Sequence, residues 1–97
     1  MIQLFRCTGT EDIFNGRDTR AARGVCPSSL WTVAARKLEQ LDSADEQRDL
    51  RSPPGNHFKV LRGNRSGQCT IRINDQYRIC FVWSDAGPQN VEIVDYH

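Results

Sequence analysis

The sequence predicts an α+β fold in which two N-terminal helices pack on one face of a small antiparallel sheet. Apolar residues at three- and four-residue steps predict the main helix over residues 30–41. Alternating apolar and polar residues predict a β-hairpin over residues 68–83. A stretch rich in proline and glycine, residues 51–56, separates the helical half from the strand half. The expected order is β-α-α-β-β-β, in a single domain that spans residues 1–97.

The first part of the chain is expected to hold a short strand, a short helix and a loop. Residues 2–6 contain alternating apolar positions and are interpreted as an opening strand. Thr10 is expected to cap a short helix that stops at Asn15 and Gly16. Residues 17–26 carry several charges and no strong period, so we interpret them as a mobile loop.

The main helix is the clearest element of the sequence. Pro27 suits its first turn, where a missing N–H does no harm. The apolar stripe is expected to pack on the sheet, because such a stripe is far more often core than ligand site. The stripe consists of Leu30, Val33, Leu38 and Leu41. The acidic stretch 42–49 is expected to add another turn.

Three strands are expected in the C-terminal part. Residues 57–61 are predicted to form the first of them. The hairpin joins residues 68–73 to residues 77–83 through a three-residue turn, since only this register puts the apolar residues of both strands on a common face. A loop at residues 84–90 then leads into a last strand over residues 91–97.

In the predicted register Arg72 and Arg78 lie directly opposite each other. Two like charges opposed across strands are destabilising unless an anion or a carboxylate lies between them. For an isolated pair, two solvated arginines that splay apart are the favoured interpretation. A phosphate site is the alternative. It gains support from the final residues Asp95, Tyr96 and His97, which supply a carboxylate, a phenol and an imidazole.

Charge is strongly separated along the chain, although the formal net charge is only +1. Residues 38–50 contain five acidic side chains and one basic one, whereas residues 51–83 contain six basic side chains and one acidic one. A basic strand half is expected if one surface meets a polyanion. Ordinary surface charge explains the same pattern about as well.

The composition, with 38% apolar and 26% charged residues, is typical of a soluble globular protein. The sequence shows no secretory or transit segment and no run long enough to span a membrane, so we expect a cytoplasmic protein without a membrane partner. No metal or other cofactor is expected, because the four cysteines lack CxxC spacing and a nearby histidine pattern. Disulfides are not expected in a reducing compartment.

Two stretches carry a family resemblance: PPGNHFKVLRGNRSGQCTIRINDQYRICF and the closing NVEIVDYH. They resemble the RelE/ParE superfamily of bacterial toxins, and within it the HigB-like plasmid-maintenance killer proteins. The most specific parts are PPGN, LRGNRSGQ, the RINDQYRICF hairpin and VEIVDYH. The resemblance covers nearly the whole chain, including ARKLEQLDSA and DLRSPPGN, and implies a RelE-like fold.

The resemblance also implies a function and partners. It implies the toxin of a type II toxin-antitoxin system, a metal-independent endoribonuclease that cleaves messenger RNA on the ribosome and so inhibits translation and growth. The expected partners are the ribosome, messenger RNA and a HigA-like helix-turn-helix antitoxin that neutralises the toxin. Operator DNA is expected to be reached only through that antitoxin.

The family's basic and histidine positions map onto a defined set of residues here. They are Lys59, Arg62, Arg72, Arg78, Asp95, Tyr96 and His97. Some relatives read HPLKG where this chain reads KVLRG, so Lys59 replaces their histidine and His57 lies two residues earlier. We expect RNA phosphate binding by Lys59, Arg62, Arg65 and His57. For His57, an ordinary surface histidine is the favoured interpretation, and for Lys59 and Arg62 the alternative is general affinity for the backbone of ribosomal RNA.

Metal-free RNA cleavage needs an aligned 2′-hydroxyl, a base, cations around the phosphorane and an acid for the leaving 5′-oxygen. We assign Arg78 and Arg72 to charge stabilisation, because guanidinium groups match phosphate oxygens and stay charged. His97 is assigned as general acid or base, with Asp95 orienting it or sharing that role. Tyr96 either stacks on an unpaired base or closes the apolar face of the sheet, and these alternatives are equally weighted.

Two other functions fit the same resemblance. One is a toxin of the same fold that binds a protein target such as DNA gyrase, as ParE relatives are thought to do, without nuclease activity. The other is a weakened homologue that chiefly binds the antitoxin. The basic sheet and the terminal DYH favour the nuclease. An effect on translation would identify the nuclease, whereas an effect on DNA supercoiling would identify the toxin that binds gyrase.

Overall fold

The computed structural model of the chain describes residues 1–52, 54–61 and 67–95. Within these ranges the helices are α1 (Thr8–Phe14), α2 (Arg20–Val25) and α3 (Trp31–Ser43). The strands are β1 (Lys59–Val60), β2 (Gln68–Arg72), β3 (Tyr77–Ser84) and β4 (Gly87–Asp95). They form one antiparallel sheet in the order β1-β2-β3-β4. The predicted α+β class is therefore confirmed, and none of the helices in the described ranges is long and apolar enough to cross a membrane.

One face of the sheet is buried against the helices. Ile71 of β2 lies directly opposite Ile79 of β3, and both are fully buried. Of the predicted helical stripe, Leu38 and Leu41 are fully buried, whereas the earlier stripe residues only border the core. Phe81 is 1% exposed, and truncating a phenylalanine buried to this degree typically costs about 3–5 kcal/mol of stability.

The segment predicted as a mobile loop contains helix α2, so that prediction is wrong. The Thr19 hydroxyl caps α2 by accepting from the Ala22 N–H at 3.1 Å, and it donates to Asp12 of α1 at 2.6 Å. Ala22 is fully buried. A helix of six residues shows no visible period and depends on packing for its stability, which is why the sequence did not reveal it.

Thr10 does not cap α1, contrary to the prediction. The helix begins after Cys7, and Thr10 lies inside it with no exposed surface. The Thr10 hydroxyl accepts from the Ile93 N–H at 3.1 Å, so it joins α1 to β4. The other end of α1 agrees with the prediction, because Asn15 is the C-cap and Gly16 has a φ of 75°.

The predicted opening strand is reduced to a single parallel bridge between Phe5 and Val91. The Arg6 N–H donates to the Val91 carbonyl at 2.9 Å, and the Val91 N–H donates to the Leu4 carbonyl at 3.0 Å. The N-terminal segment therefore runs beside β4 without becoming a regular strand of the sheet.

The loop predicted at residues 84–90 is also wrong, because β3 continues to Ser84 and β4 begins at Gly87. Gly87 has a φ of 131°, and a Cβ atom there would lie 2.2 Å from the Met1 carbonyl oxygen. Pro88 has no N–H to donate, but its carbonyl accepts from the Gln3 N–H at 2.8 Å. Glycine and proline are tolerated at this position because the N-terminal segment, rather than a full strand, covers it.

Candidate functional site

The sheet presents basic side chains from three strands on the face that the helices leave uncovered. Arg72 is paired with Arg78, as the sequence predicts, and Lys59 is paired with Thr70. Alternate residues of a strand share a face, so Lys59, Arg72 and Arg78 all lie on the side opposite Ile71 and Ile79. We call these three residues the basic face.

The hairpin turn that fixes this arrangement has the predicted length. The Ile73 N–H donates to the Tyr77 carbonyl at 3.0 Å, which leaves three residues in the turn. The Asn74 side-chain oxygen accepts from the N–H groups of Gln76 and Tyr77, at 2.9 and 2.7 Å. An asparagine that bonds the main chain ahead of it stabilises a tight turn, so Asn74 secures the register of β2 and β3.

Arg78 is the buried member of the basic face, with only 8% of its surface exposed. Its Nε donates to the Thr70 hydroxyl at 2.9 Å, and its Nη2 donates to the main-chain carbonyl of His57 at 2.6 Å. A buried guanidinium is tolerated only when its donors are satisfied. These two bonds therefore stabilise Arg78 and restrict the orientation of its planar group.

Arg72 has a different environment. Its guanidinium forms an ion pair with Asp75 in the hairpin turn, and 31% of the Arg72 side chain is exposed. The two arginines do splay apart, as the sequence interpretation held. The expectation that both would be solvated is wrong for Arg78.

Lys59 and His57 contribute to this region in different ways. Lys59 lies exposed on the basic face, next to Thr70. His57 has a φ of 44°, which is uncommon for a residue with a side chain. Its side chain is exposed, and its main-chain carbonyl, rather than its imidazole, bonds to Arg78.

Asp95 lies on the other side of the sheet. It is paired with Tyr77 and shares the face of Val91 and Ile93, so the sheet separates it from Arg78. Its carboxylate accepts from Gln76 Nε2 at 3.1 Å. The remaining predicted site residues lie outside the described ranges, and their roles stay predictions. They are Arg62, Arg65, Tyr96 and His97.

The sequence matches, over residues 4–97, the family described as the RelE-like toxin of the type II toxin-antitoxin system HigB. The chain belongs to this family of HigB-like toxins. That membership confirms the resemblance found in the sequence.

Two relatives of this HigB-like toxin show how far the similarity extends. Toxin HigB-1 of Vibrio cholerae serotype O1 is 54% identical over 61 residues, which cover 63% of this chain and 64% of that protein. An uncharacterized protein of Haemophilus influenzae is 37% identical over 65 residues, which cover 67% of this chain and 64% of that protein. The chain thus matches just under two thirds of the length of each relative.

Asn56 is a residue of this HigB-like toxin that the sequence interpretation missed. It is fully buried, accepts from Lys37 Nζ at 2.5 Å and donates to the Leu50 carbonyl at 3.1 Å. Burial, with a smaller contribution from the nearby positive charge of Arg36, lowers the pKa of Lys37. Asn56 directly precedes His57, so it holds the main chain that bonds Arg78. The PPGN motif contained the signal, but it was interpreted as a break between helices and strands and as part of the family resemblance, not as the position of a buried polar side chain.

One cavity of the described part of the chain lies apart from the basic face. A cavity of about 550 Å³ lies near the acidic stretch, and its lining is Asp45, Glu46, Gln47, Arg48, Trp83 and Asp85. Within residues 1–52, 54–61 and 67–95, no three His, Cys, Asp or Glu side chains are grouped to hold a metal ion. Within the basic face, Lys59 and Arg72 are the more exposed cations, whereas Arg78 is only 8% exposed.

Proposed function

We propose that this HigB-like toxin is a ribosome-dependent endoribonuclease that cleaves messenger RNA and so stops translation and growth. The observation that carries the proposal is the basic face, where cations from three strands share one side of the sheet. Positive side chains on adjacent strands suit a phosphate backbone, whose binding is mainly electrostatic. Membership of a toxin family supports the biological class, and the basic face supports an activity directed at RNA.

Cleavage would proceed by attack of the RNA's own 2′-oxygen on the adjacent phosphorus. A base removes the 2′-hydroxyl proton, the new P–O bond forms, and the bond from phosphorus to the 5′-oxygen breaks as an acid donates a proton to that oxygen. The products are a 2′,3′-cyclic phosphate and a 5′-hydroxyl. Arg78 stabilises the negative charge that builds on the phosphorane, because a fixed cation with little solvent around it acts strongly on developing charge.

We propose that His97 carries a proton in this reaction, since imidazole exchanges protons near neutral pH. Asp95 lies on the opposite sheet face from Arg78, so its proposed role is to orient His97 rather than to bind the phosphate. Tyr96 is proposed to stack on an unpaired base.

The remaining cations are proposed to bind the RNA chain on either side of the cleaved bond. Arg72 and Lys59 lie on the same face as Arg78 and are both more exposed than it is. An RNA phosphate can meet Arg78 only at the small part of its surface that solvent reaches. Additional phosphate contacts are proposed for Arg62, Arg65 and His57.

The proposed partners follow from the same function. A HigA-like helix-turn-helix antitoxin neutralises the protein and alone connects it to operator DNA. The proposed site of action is the cytoplasm, where translating ribosomes are found. Co-expression with a cognate HigA-like antitoxin should restore growth, and the two proteins should purify as a complex.

Brief expression in cells, followed by mapping of new 5′ ends on messenger RNA, tests the nuclease. Wild-type protein should produce cuts within translated messages, and Arg78→Ala and His97→Ala should abolish them while remaining folded. Arg20→Ala is the matched control, because Arg20 is exposed on α2, away from the basic face, and it should cut normally. Growth arrest with intact messages and altered DNA supercoiling would instead identify a toxin that binds gyrase.

A further inference from the structure

We propose that the Thr70 hydroxyl positions Arg78 for cleavage, so that Thr70 is a positioning residue of the nuclease. This inference rests on the proposed function and names a residue that does not itself touch RNA. The Thr70 hydroxyl accepts a hydrogen bond from Arg78 Nε at 2.9 Å. Thr70 has no exposed surface, so RNA cannot reach it directly.

The pairing of the strands explains how Thr70 comes to lie beside Arg78. Thr70 is paired with Cys80, and Arg78 is paired with Arg72, so Thr70 and Arg78 are diagonal neighbours on one face. Only a long side chain spans that diagonal. A buried hydroxyl oxygen also needs a partner to offset its lost contact with water, and the Arg78 Nε–H supplies one.

A second acceptor makes the orientation of Arg78 definite. The His57 carbonyl accepts from Nη2, which shares one edge of the planar guanidinium with Nε. Two bonds along one edge fix the plane of the group, and therefore also the direction of its Nη1 donors. Both acceptors are neutral, so these bonds orient the arginine without opposing its charge.

The main chain that supplies the second acceptor is itself fixed. The side-chain hydrogen bonds of Asn56 anchor the residue before His57, and His57 presents its carbonyl to Arg78 with a positive φ. Thr70 is therefore the side chain whose substitution loosens Arg78 without disturbing residues 54–58. A displacement of about 1 Å in a catalytic group can lower a rate by about 100-fold, so this orientation matters for the reaction.

The test uses Thr70→Val, which keeps the branched shape and removes the acceptor, beside Thr70→Ser, which restores it. Single-turnover cleavage of messenger RNA on programmed ribosomes should slow by about 10- to 100-fold in Thr70→Val at saturating ribosome concentration. The ribosome concentration that gives half the maximal rate should not change. Thr70→Ser should cleave within about threefold of wild type, since its hydroxyl can accept the same bond. Thr32→Val, at an exposed position of α3, is the matched control and should behave as wild type.

The arginine Nε–H signals in an NMR spectrum give a readout that is independent of activity. The Arg78 signal, assigned through its loss in Arg78→Lys, should shift and exchange faster with solvent in Thr70→Val and stay near its original position in Thr70→Ser. If Thr70→Val does not fold, Thr70→Cys takes its place, because the thiol is a weak acceptor of similar size. The same slowing of cleavage and the same change in the Arg78 signal are expected.

The outcomes separate this inference from the proposed function. Normal cleavage by a folded Thr70→Val would overturn the role of Thr70 and leave the nuclease intact. Slow cleavage with an unchanged Arg78 signal would also overturn it, because the loss would then have another cause. If wild-type protein does not cleave messenger RNA at all, both the proposed function and the role of Thr70 fail.

Discussion

Arg72 and Arg78 are paired directly across β2 and β3, yet their guanidinium groups bind partners in opposite directions along the hairpin. Arg72 reaches toward the turn and pairs with Asp75, whereas Arg78 reaches away from the turn to Thr70. This divergence relieves the repulsion expected between like charges in opposed positions. It also gives the two cations different properties, because Arg72 is partly exposed and paired with a carboxylate, whereas Arg78 is buried.

The Asp75 carboxylate competes with RNA for Arg72, so Asp75→Asn should strengthen RNA binding. An additional phosphate contact steepens the plot of log affinity against log salt concentration by about 0.7 for a single strand. The measurement is fluorescence anisotropy of a short labelled RNA over a series of salt concentrations, for wild type and Asp75→Asn.

Asp85→Asn controls for the general loss of one negative charge. Asp85 is an exposed residue of the turn between β3 and β4, at the other end of the hairpin strand β3. Only Asp75→Asn should change the slope of log affinity against log salt concentration relative to wild type. Equal slopes for the two variants would mean that Arg72 does not contact the RNA.

The difference in burial predicts unequal effects on stability for the two arginines. Arg78→Ala should lower the free energy of unfolding by about 1–3 kcal/mol, because it leaves the buried Thr70 hydroxyl without this partner. Arg72→Ala should lower it by less than about 1 kcal/mol, because its ion pair involves an Asp75 side chain that is 97% exposed. Urea unfolding of both variants measures the difference. Equal losses would contradict the assignment of Arg78 as the buried member of the pair.

Much of the basic face could be predicted from the sequence, because hairpin register follows from alternation. Apolar residues at every second position of β2 and β3 leave only one register that buries them together, and that register places Arg72 opposite Arg78. The main helix could be predicted equally well, since its apolar stripe repeats over several turns.

The contacts of Arg78 could not be predicted in this way. They depend on a carbonyl 21 residues earlier in the chain, presented by a positive φ at His57 that no periodicity encodes. Helix α2 and the start of β4 were missed for related reasons. One is too short to show a period, and the other contains Gly87 and Pro88, which are typical of loops unless a neighbouring segment covers them.

The close packing of α1 on α2 predicts opposite effects for two glycine substitutions. A Cβ atom on Gly9 would lie 2.5 Å from the main-chain oxygen of Ala21, so Gly9→Ala should cost about 1–3 kcal/mol of stability. Gly24 has open space around it, so Gly24→Ala should add about 0.5–1 kcal/mol by favouring the helix. Thermal and urea unfolding of the two variants test this. A Gly9→Ala protein as stable as wild type would show that the helices do not pack this closely.

Burial lowers the pKa of Lys37, and this has a consequence for stability at alkaline pH. An unfolded lysine holds its proton up to a pKa of about 10.4. Between the lowered pKa of the folded protein and that value, the unfolded chain binds more protons than the folded one. The contribution of Lys37 to stability should therefore rise with pH across this window.

Lys37→Met isolates that contribution from other titrating groups. Burial raises the pKa of the Cys26 and Cys69 thiols, so both thiols lower the stability as pH rises above the ordinary thiol range. Both thiols are present in wild type and in Lys37→Met, so their effect cancels in the comparison. The free energy of unfolding is measured with urea from pH 7 to about pH 10, in the range where lysine begins to titrate. The difference, wild type minus Lys37→Met, should increase with pH. A difference that stays constant or falls with pH would mean that folding does not lower the pKa of Lys37.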